Sequence, residues 1–460
     1  MKLKRYLFST LLLPLATTVM AQGVLRINLH DALALGFEQN PAIVATKYAE
    51  ESAHRERQAA IGLFMPQITL RGGYAHLDKD VKIDFNPMLT SLAPIIGEGL
   101  GALGIDLSYT LQRRNTAFFG GDVVMPLFAG GKIWVANRAA KIEERRTKEQ
   151  SKQVRGALVV EIVERYFGVE LAQRAVAIRE EAVAVVGAHL HDVALLKREG
   201  EAVESDLFYA EFRMAEAERD LQRARLQLET ANRALQTSLG VEMEVLPTTP
   251  LFLLPEVEPL SYFSSQSLSL NPQLGEVESM RELARANLQL RRAELMPEIM
   301  AVGAMNFCNY QLSPLVPRMA VGVGLNFKIF DGLRSEYRTA SARLQLRRVE
   351  ALEQKAEQSV KLLVEELYNS LQALLVSVAA VERSERFATE YLRVKQLSYR
   401  EGLAISTDVV DAVLNLSRAR IEMAQTAFDF DVALARLLEA SGMSEEFEQY
   451  SLRPTVKLIF

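Results

Sequence analysis

Two stretches, Gly131 to Gly200 and Leu333 to Gly402, each run for 70 residues without a proline. In the second, Val360, Val364, Leu367, Leu371, Leu374 and Val378 recur at steps of three and four, with Glu, Arg and Lys between them. A stripe that narrow is the seam of a coiled coil. Seventy residues of helix rise roughly 100 Å, several times the diameter of a globular domain. The chain must therefore be organised around long paired rods rather than one rounded core.

The two stretches belong to two copies of one pattern. Asn40-Pro41 recurs as Asn271-Pro272 and Met65-Pro66 as Met296-Pro297, both at an offset of 231. Phe128-x-Gly130 recurs as Phe330-x-Gly332, Gly200 as Gly402 and Leu239-Gly240 as Ser441-Gly442, all at an offset of 202. The first copy thus carries 29 extra residues between the two sets of landmarks. Arg198-Glu199-Gly200 and Arg400-Glu401-Gly402 read as turns of helical hairpins, each glycine free to take the left-handed conformation that ends a helix. The Ser205-Asp206 and Thr407-Asp408 pairs are expected to supply cap acceptors and negative charge to the next helix.

Short strands precede each long helix. From Met319 to Ile329 every odd position is apolar, while Ala320, Gly322, Gly324, Asn326 and Lys328 are small or polar. Such period-two alternation gives a strand one apolar face. Four strands are expected, at about 66–77, 117–128, 297–307 and 318–330. The expected organisation is a secretory leader over 1–21, a first repeat over 22–240, a linker over 241–265, a second repeat over 266–442 and a tail from 443 to 460. Lys2, Lys4 and Arg5 before an apolar run, ending at Val19-Met20-Ala21, form the leader pattern. Its removal moves the formal charge from −5 to −8, an acidity that argues against nucleic acid as a partner. A single cysteine, Cys308, leaves no internal disulfide and no thiolate metal cluster.

Paired strands fixed to 70-residue helices, the Asn-Pro helix starts, Pro66 and Pro297 at the helix-to-strand joints and the two glycine turns together resemble the TolC family of outer-membrane efflux and secretion channels. The resemblance covers essentially the whole mature chain. It implies a mainly α protein with membrane β: four strands per chain enter a trimeric twelve-stranded barrel that continues into a helical tunnel through the periplasm. Independently, four strands cannot close a barrel, and lipid tolerates no open edge. The resemblance further implies a periplasmic membrane-fusion adaptor and an inner-membrane transporter as partners, with the turns at Arg198, Glu199, Gly200, Arg400, Glu401 and Gly402 meeting the adaptor. It also places Asp408 and Asp411 at the closed entrance, where rings of carboxylates narrow the pore and hold cations. Spacing of three puts both acids on one helix face. Asp411 has Tyr209 as its counterpart, so the second acid is peculiar to the second copy. Asp206 and Tyr399 match a tie that holds the entrance shut. A family arginine two positions after the second glycine is Ala404 here, leaving Arg400 as the candidate substitute.

Catalytic signals are scarce. Gly99-x-Gly101-x-x-Gly104 follows no strand, His189 and His191 point to different helix faces, and no phosphate loop or nucleophile with its base is present. The chain reads as a conduit without cofactor or resident metal, not an enzyme. A periplasmic coiled-coil adaptor would need a separate β domain, and a porin-like diffusion channel would be strands throughout. The inserted loop over 77–115 carries Phe85, Met88, Leu89, Leu92, Ile95, Ile96, Leu100 and Leu103, apolar surface that needs covering by a fold-back or a surface partner.

Overall fold

The computed structural model describes residues 24–92, 108–311, 313 and 315–454. The leader, Gly99, Gly101, Gly104 and the loop positions Ile95 to Leu103 lie outside the described residues. The chain divides into two compact units, one of residues up to 45, Gln153–Asn271 and from 360 onward, the other Thr46–Lys152 and Pro272–Ser359.

The second unit contains a four-stranded antiparallel sheet of β2 (Gln67–His76), β5 (Asn115–Phe128), β7 (Glu298–Tyr310) and β8 (Met319–Asn326), ordered β2-β5-β7-β8. Register places Ile68 opposite Val123, Val123 opposite Gly303 and Gly303 opposite Val321, so these positions share one face. Apolar residues crowd that face and stand uncovered, with Val321 79% exposed. On the other face Thr69 lies opposite Asp122 and Arg71 pairs with the Asp122 carboxylate. β8 stops at Asn326, short of the expected 330, because Asn326 pairs with Glu298 and the ladder partner ends there at Pro297. The inserted segment is not all loop. β3 (Val81–Asp84) and β4 (Ser108–Gln112) pair antiparallel, and α3 (Asn86–Leu92) follows β3.

Helix α2 (Pro41–Ile61) leads into β2, and α4 (Lys132–Glu199) leaves β5; α7 (Pro272–Ala293) leads into β7, and α8 (Arg334–Arg400) leaves β8. The helices α4 and α8 hold 68 and 67 residues. The exits from the strands turn through left-handed residues, Gly130 and Gly131 in one case, Gly332 and Leu333 in the other. Leu333, with φ of 64°, occupies the place of Gly131 without its freedom.

In the first unit, α5 (Glu204–Leu239) and α9 (Ser406–Ala440) follow the two glycine turns, joined by α1 (Leu29–Gln39) and α6 (Leu260–Leu270). Helix α9 is buried along most of its length, and its Phe430 joins Phe167, Phe252 and Phe447 in an aromatic core. Strands β1 (Leu25–Ile27) and β6 (Val245–Pro247) pair in parallel. The Tyr166 hydroxyl fixes that edge, donating to the Ile27 carbonyl at 2.9 Å and accepting from the Thr248 and Thr249 amides. The linker residue Phe252 meets Phe447 at the start of α10 (Phe447–Ser451), 5.9 Å between ring centres.

Each Asn-Pro motif has one physical role. Asn40 donates its amide to the Ser238 carbonyl at 3.1 Å, and Asn271 donates to the Ala440 carbonyl at 2.7 Å. Both hooks satisfy a carbonyl in the last turn of the returning helix, an orphan acceptor that would otherwise be buried unpaired. Proline in the next position starts the following helix without needing its own amide.

Candidate functional site at the helix turns

Both hairpin turns close alike. Gly200 and Gly402 have φ of 81° and 72°. The amide after each reaches back to a carbonyl five residues earlier, Glu201 to Leu196 and Leu403 to Ser398, both at 2.8 Å. This is the left-handed helix stop with its long return bond. Helix starts differ from expectation. The cap positions are Val203 and Ile405, neither with a side-chain acceptor, so Asp206 and Asp408 lie inside the first turn. Helix α5 and α9 each begin two residues before the acid, so these carboxylates serve the exposed amides through charge rather than as cap acceptors.

Asp408 accepts from Lys395 at 2.9 Å, and this hydrogen bond holds the Lys395 ammonium above its usual range. Asp411 accepts from Arg213 at 3.3 Å and from the Tyr209 hydroxyl at 3.4 Å. Arg213 also donates to the Tyr209 oxygen at 2.9 Å and to Glu216, which raises its already high basicity. Each of the two acids thus has a cation of its own within the chain. Lys395 was legible in principle, since it mirrors Asp408 across the glycine turn. Arg213 follows Tyr209 by one helical turn.

Tyr399 does not hydrogen-bond Asp206 among the described contacts. Its ring lies edge-on against His189, 4.8 Å between centres. Burial, then the nearby charges of Asp206 and Asp192, push the Tyr399 phenol above its usual range. His189, buried on α4, shares a 2.7 Å hydrogen bond with the Ser406 hydroxyl at the start of α9. Burial pushes its imidazole below the ordinary range against the pull of Asp192. His189, Tyr399 and Ser406 therefore join the two hairpins, and the sequence offered no signal for it beyond a histidine on an apolar helix face. Arg198, Glu199, Gly200, Arg400, Glu401 and Gly402 are all exposed, as are the apolar neighbours Val203, Leu403 and Ile405. Arg400 makes no tie to the first hairpin among the described residues.

Comparison with known proteins decides what such a chain is. The model of the family described as "Outer membrane efflux protein" matches residues 33–241 and again 263–443. The chain belongs to the outer membrane efflux protein family. This efflux protein is 24% identical over 325 residues to the alkaline protease secretion protein AprF of Pseudomonas aeruginosa, an alignment covering 67% of this chain and 65%, under two thirds, of AprF. It is 21% identical over 461 residues to the outer membrane protein TolC of Vibrio cholerae, covering 97% and 99% of the two chains. Among solved structures its fold matches CusC with a TM-score of 0.74 at 17% identity, covering 90% of this chain and 92% of the other. The Neisseria gonorrhoeae MtrE outer membrane channel, in its open state, matches with a TM-score of 0.70 at 16% identity, covering 90% and 89%. The efflux protein is thus a mainly helical outer-membrane export channel of Gram-negative type, from a family of channel proteins rather than enzymes.

Proposed function

We propose that three copies of this chain form one passive duct, carrying cargo delivered by an inner-membrane transporter and a periplasmic adaptor across the outer membrane. The sheet carries this reading. Four strands with an uncovered apolar face present two unpaired edges, β2 and β8, and an open edge in hydrocarbon leaves a row of amides and carbonyls unsatisfied. Three such sheets joined edge to edge give twelve strands with the apolar face towards lipid and the Arg71–Asp122 face inward. The family assignment supports the same assembly. In it, the periplasmic turns form the entrance, Asp408 and Asp411 ring the passage, the His189–Tyr399 contact stands where Asp206 and Tyr399 were expected to tie the hairpins, and the exposed turn residues dock the adaptor. No cofactor and no metal enters this mechanism.

Light scattering of the detergent-purified protein, with the detergent mass subtracted, tests the assembly. A trimer is expected, and a monodisperse monomer would sink the reading.

A further inference from the structure

We infer that the tie between His189 and Ser406 is a proton-operated latch between the two hairpins, shut near neutrality and released by acid. The inference rests on the reading of the helix turns as the entrance of the duct. It goes beyond that reading, because it names the condition under which the entrance opens.

Ala182, Val186, His189 and Val193 recur along α4 at steps of four, three and four, and all are buried. His189 is thus a polar residue set into an apolar coiled-coil seam. Val186, one turn before it, packs with Val410 and Val413 of α9. Ser406, 1% exposed, stands at the first position of α9 ahead of those valines. A buried imidazole costs free energy unless its polar nitrogens find partners, and the Ser406 hydroxyl at 2.7 Å supplies one from the other hairpin. Tyr399 on α8 closes edge-on against the same ring. One side chain of the first hairpin therefore touches both helices of the second. Of the five histidines in the chain, His30, His54, His76 and His191 are exposed and His189 alone is buried. Its counterpart 202 positions on is Tyr391, so the imidazole enters the closure once per chain.

The titratable groups around the ring are the exposed Asp192 one turn on in α4 and Tyr399 on α8, on which Asp206 of α5 also acts. On α9 the nearest acid in sequence, Asp408, is already bonded to Lys395. Burial outweighs the pull of Asp192, so the closed joint holds the neutral imidazole. Once the hairpins part, the ring stands in water with the ordinary proton affinity of histidine, and Asp192 lies on the same helix face to receive the charge. The parted state therefore takes up the proton first as pH falls through 6.5, and the ratio of parted to closed rises by up to about tenfold per pH unit for each chain. Above that value the imidazole is neutral in both states and the latch stays shut.

Single channels of the full-length protein in planar bilayers test this at pH 7 and pH 5, with helical signal recorded in parallel. The open probability of the parent should rise roughly tenfold on acidification while the helical signal holds. His189→Gln should bring the ratio between the two pH values close to one, whatever its level at pH 7, and His191→Gln should keep the rise. Ser406→Ala removes the partner of the imidazole and should raise the open probability at pH 7. Parent channels with a flat response, an equal rise in His189→Gln, no change in Ser406→Ala, or a rise accompanied by loss of helical signal would each overturn the latch and leave the duct standing. A parent that forms no channels at either pH overturns the duct and the latch together.

Discussion

Asp408 and Asp411 each keep a cation beside them, Lys395 and Arg213, so in the proposed duct the charge of each acid would be offset inside its own chain. Replacing both acids with alanine then does more than erase negative charge. It strips the partners from two cations per chain, and the channel in planar bilayers should swing from cation preference towards anion preference, roughly several-fold in permeability ratio. An unchanged reversal potential would place both acids off the conduction path. His189 makes a second prediction at this scale. Because burial lowers its folded pKa, the unfolded chain takes up the proton first as pH falls through 6.5, and stability drops with acidification. Above that value the imidazole is neutral in both states and contributes no pH dependence. His189→Gln can keep the hydrogen bond to Ser406 without titrating, so its thermal midpoint should fall less between pH 7 and pH 5 than that of the parent, by roughly a few degrees. Equal losses in both proteins would remove His189 as a source of acid sensitivity.

At the scale of elements, two glycines with the same backbone sign separate conformational need from crowding. Gly402 and Gly442 both have φ near the left-handed region, at 72° and 76°. A β-carbon on Gly402 meets nothing within 4 Å, but one on Gly442 would lie 2.5 Å from the Leu270 carbonyl carbon and oxygen. Gly402→Ala should therefore cost about 1 kcal/mol, the strain of a left-handed alanine. Gly442→Ala must also push α6 away from the end of α9, a loss of about 3 kcal/mol or more by the usual scale of core overpacking. Denaturant unfolding monitored by helical signal compares the two, and equal costs would refute the crowding argument. The same contrast shows what the sequence could and could not disclose. Long helices, alternating strands and glycine stops are local patterns, so α4, α8, β8 and the two turns were legible from Gly131–Gly200, Met319–Ile329, Gly200 and Gly402. The Arg213 partner of Asp411, the His189 contact and the Asn40 hook depend on chain segments brought together from afar, as with Asn40 and Ser238. Helix capping was misjudged because Asp206 and Asp408 look like caps, yet Val203 and Ile405 already hold that position. The β3–β4 pairing is not legible locally because its two short strands are separated by more than twenty residues, far beyond the two- to five-residue loop that announces a hairpin in sequence.

For the whole molecule, the exposed turns are where a partner can reach both hairpins. Glu199→Cys or Glu401→Cys should crosslink to the tip of the adaptor's helical hairpin in intact cells, while a cysteine at Gln311, beyond β7, should not. Crosslinks confined to position 311 would reverse the orientation of the duct. The Tyr209–Asp411 contact has its own meaning at this scale. The two residues are 202 positions apart, the same sequence offset that separates Gly200 from Gly402, so matching positions of the two hairpins touch through a hydroxyl and an acid. Because both hairpins lie in one chain, the two sides of this contact are free to differ in sequence, and an acid meets a hydroxyl where identical residues would set acid against acid or phenol against phenol.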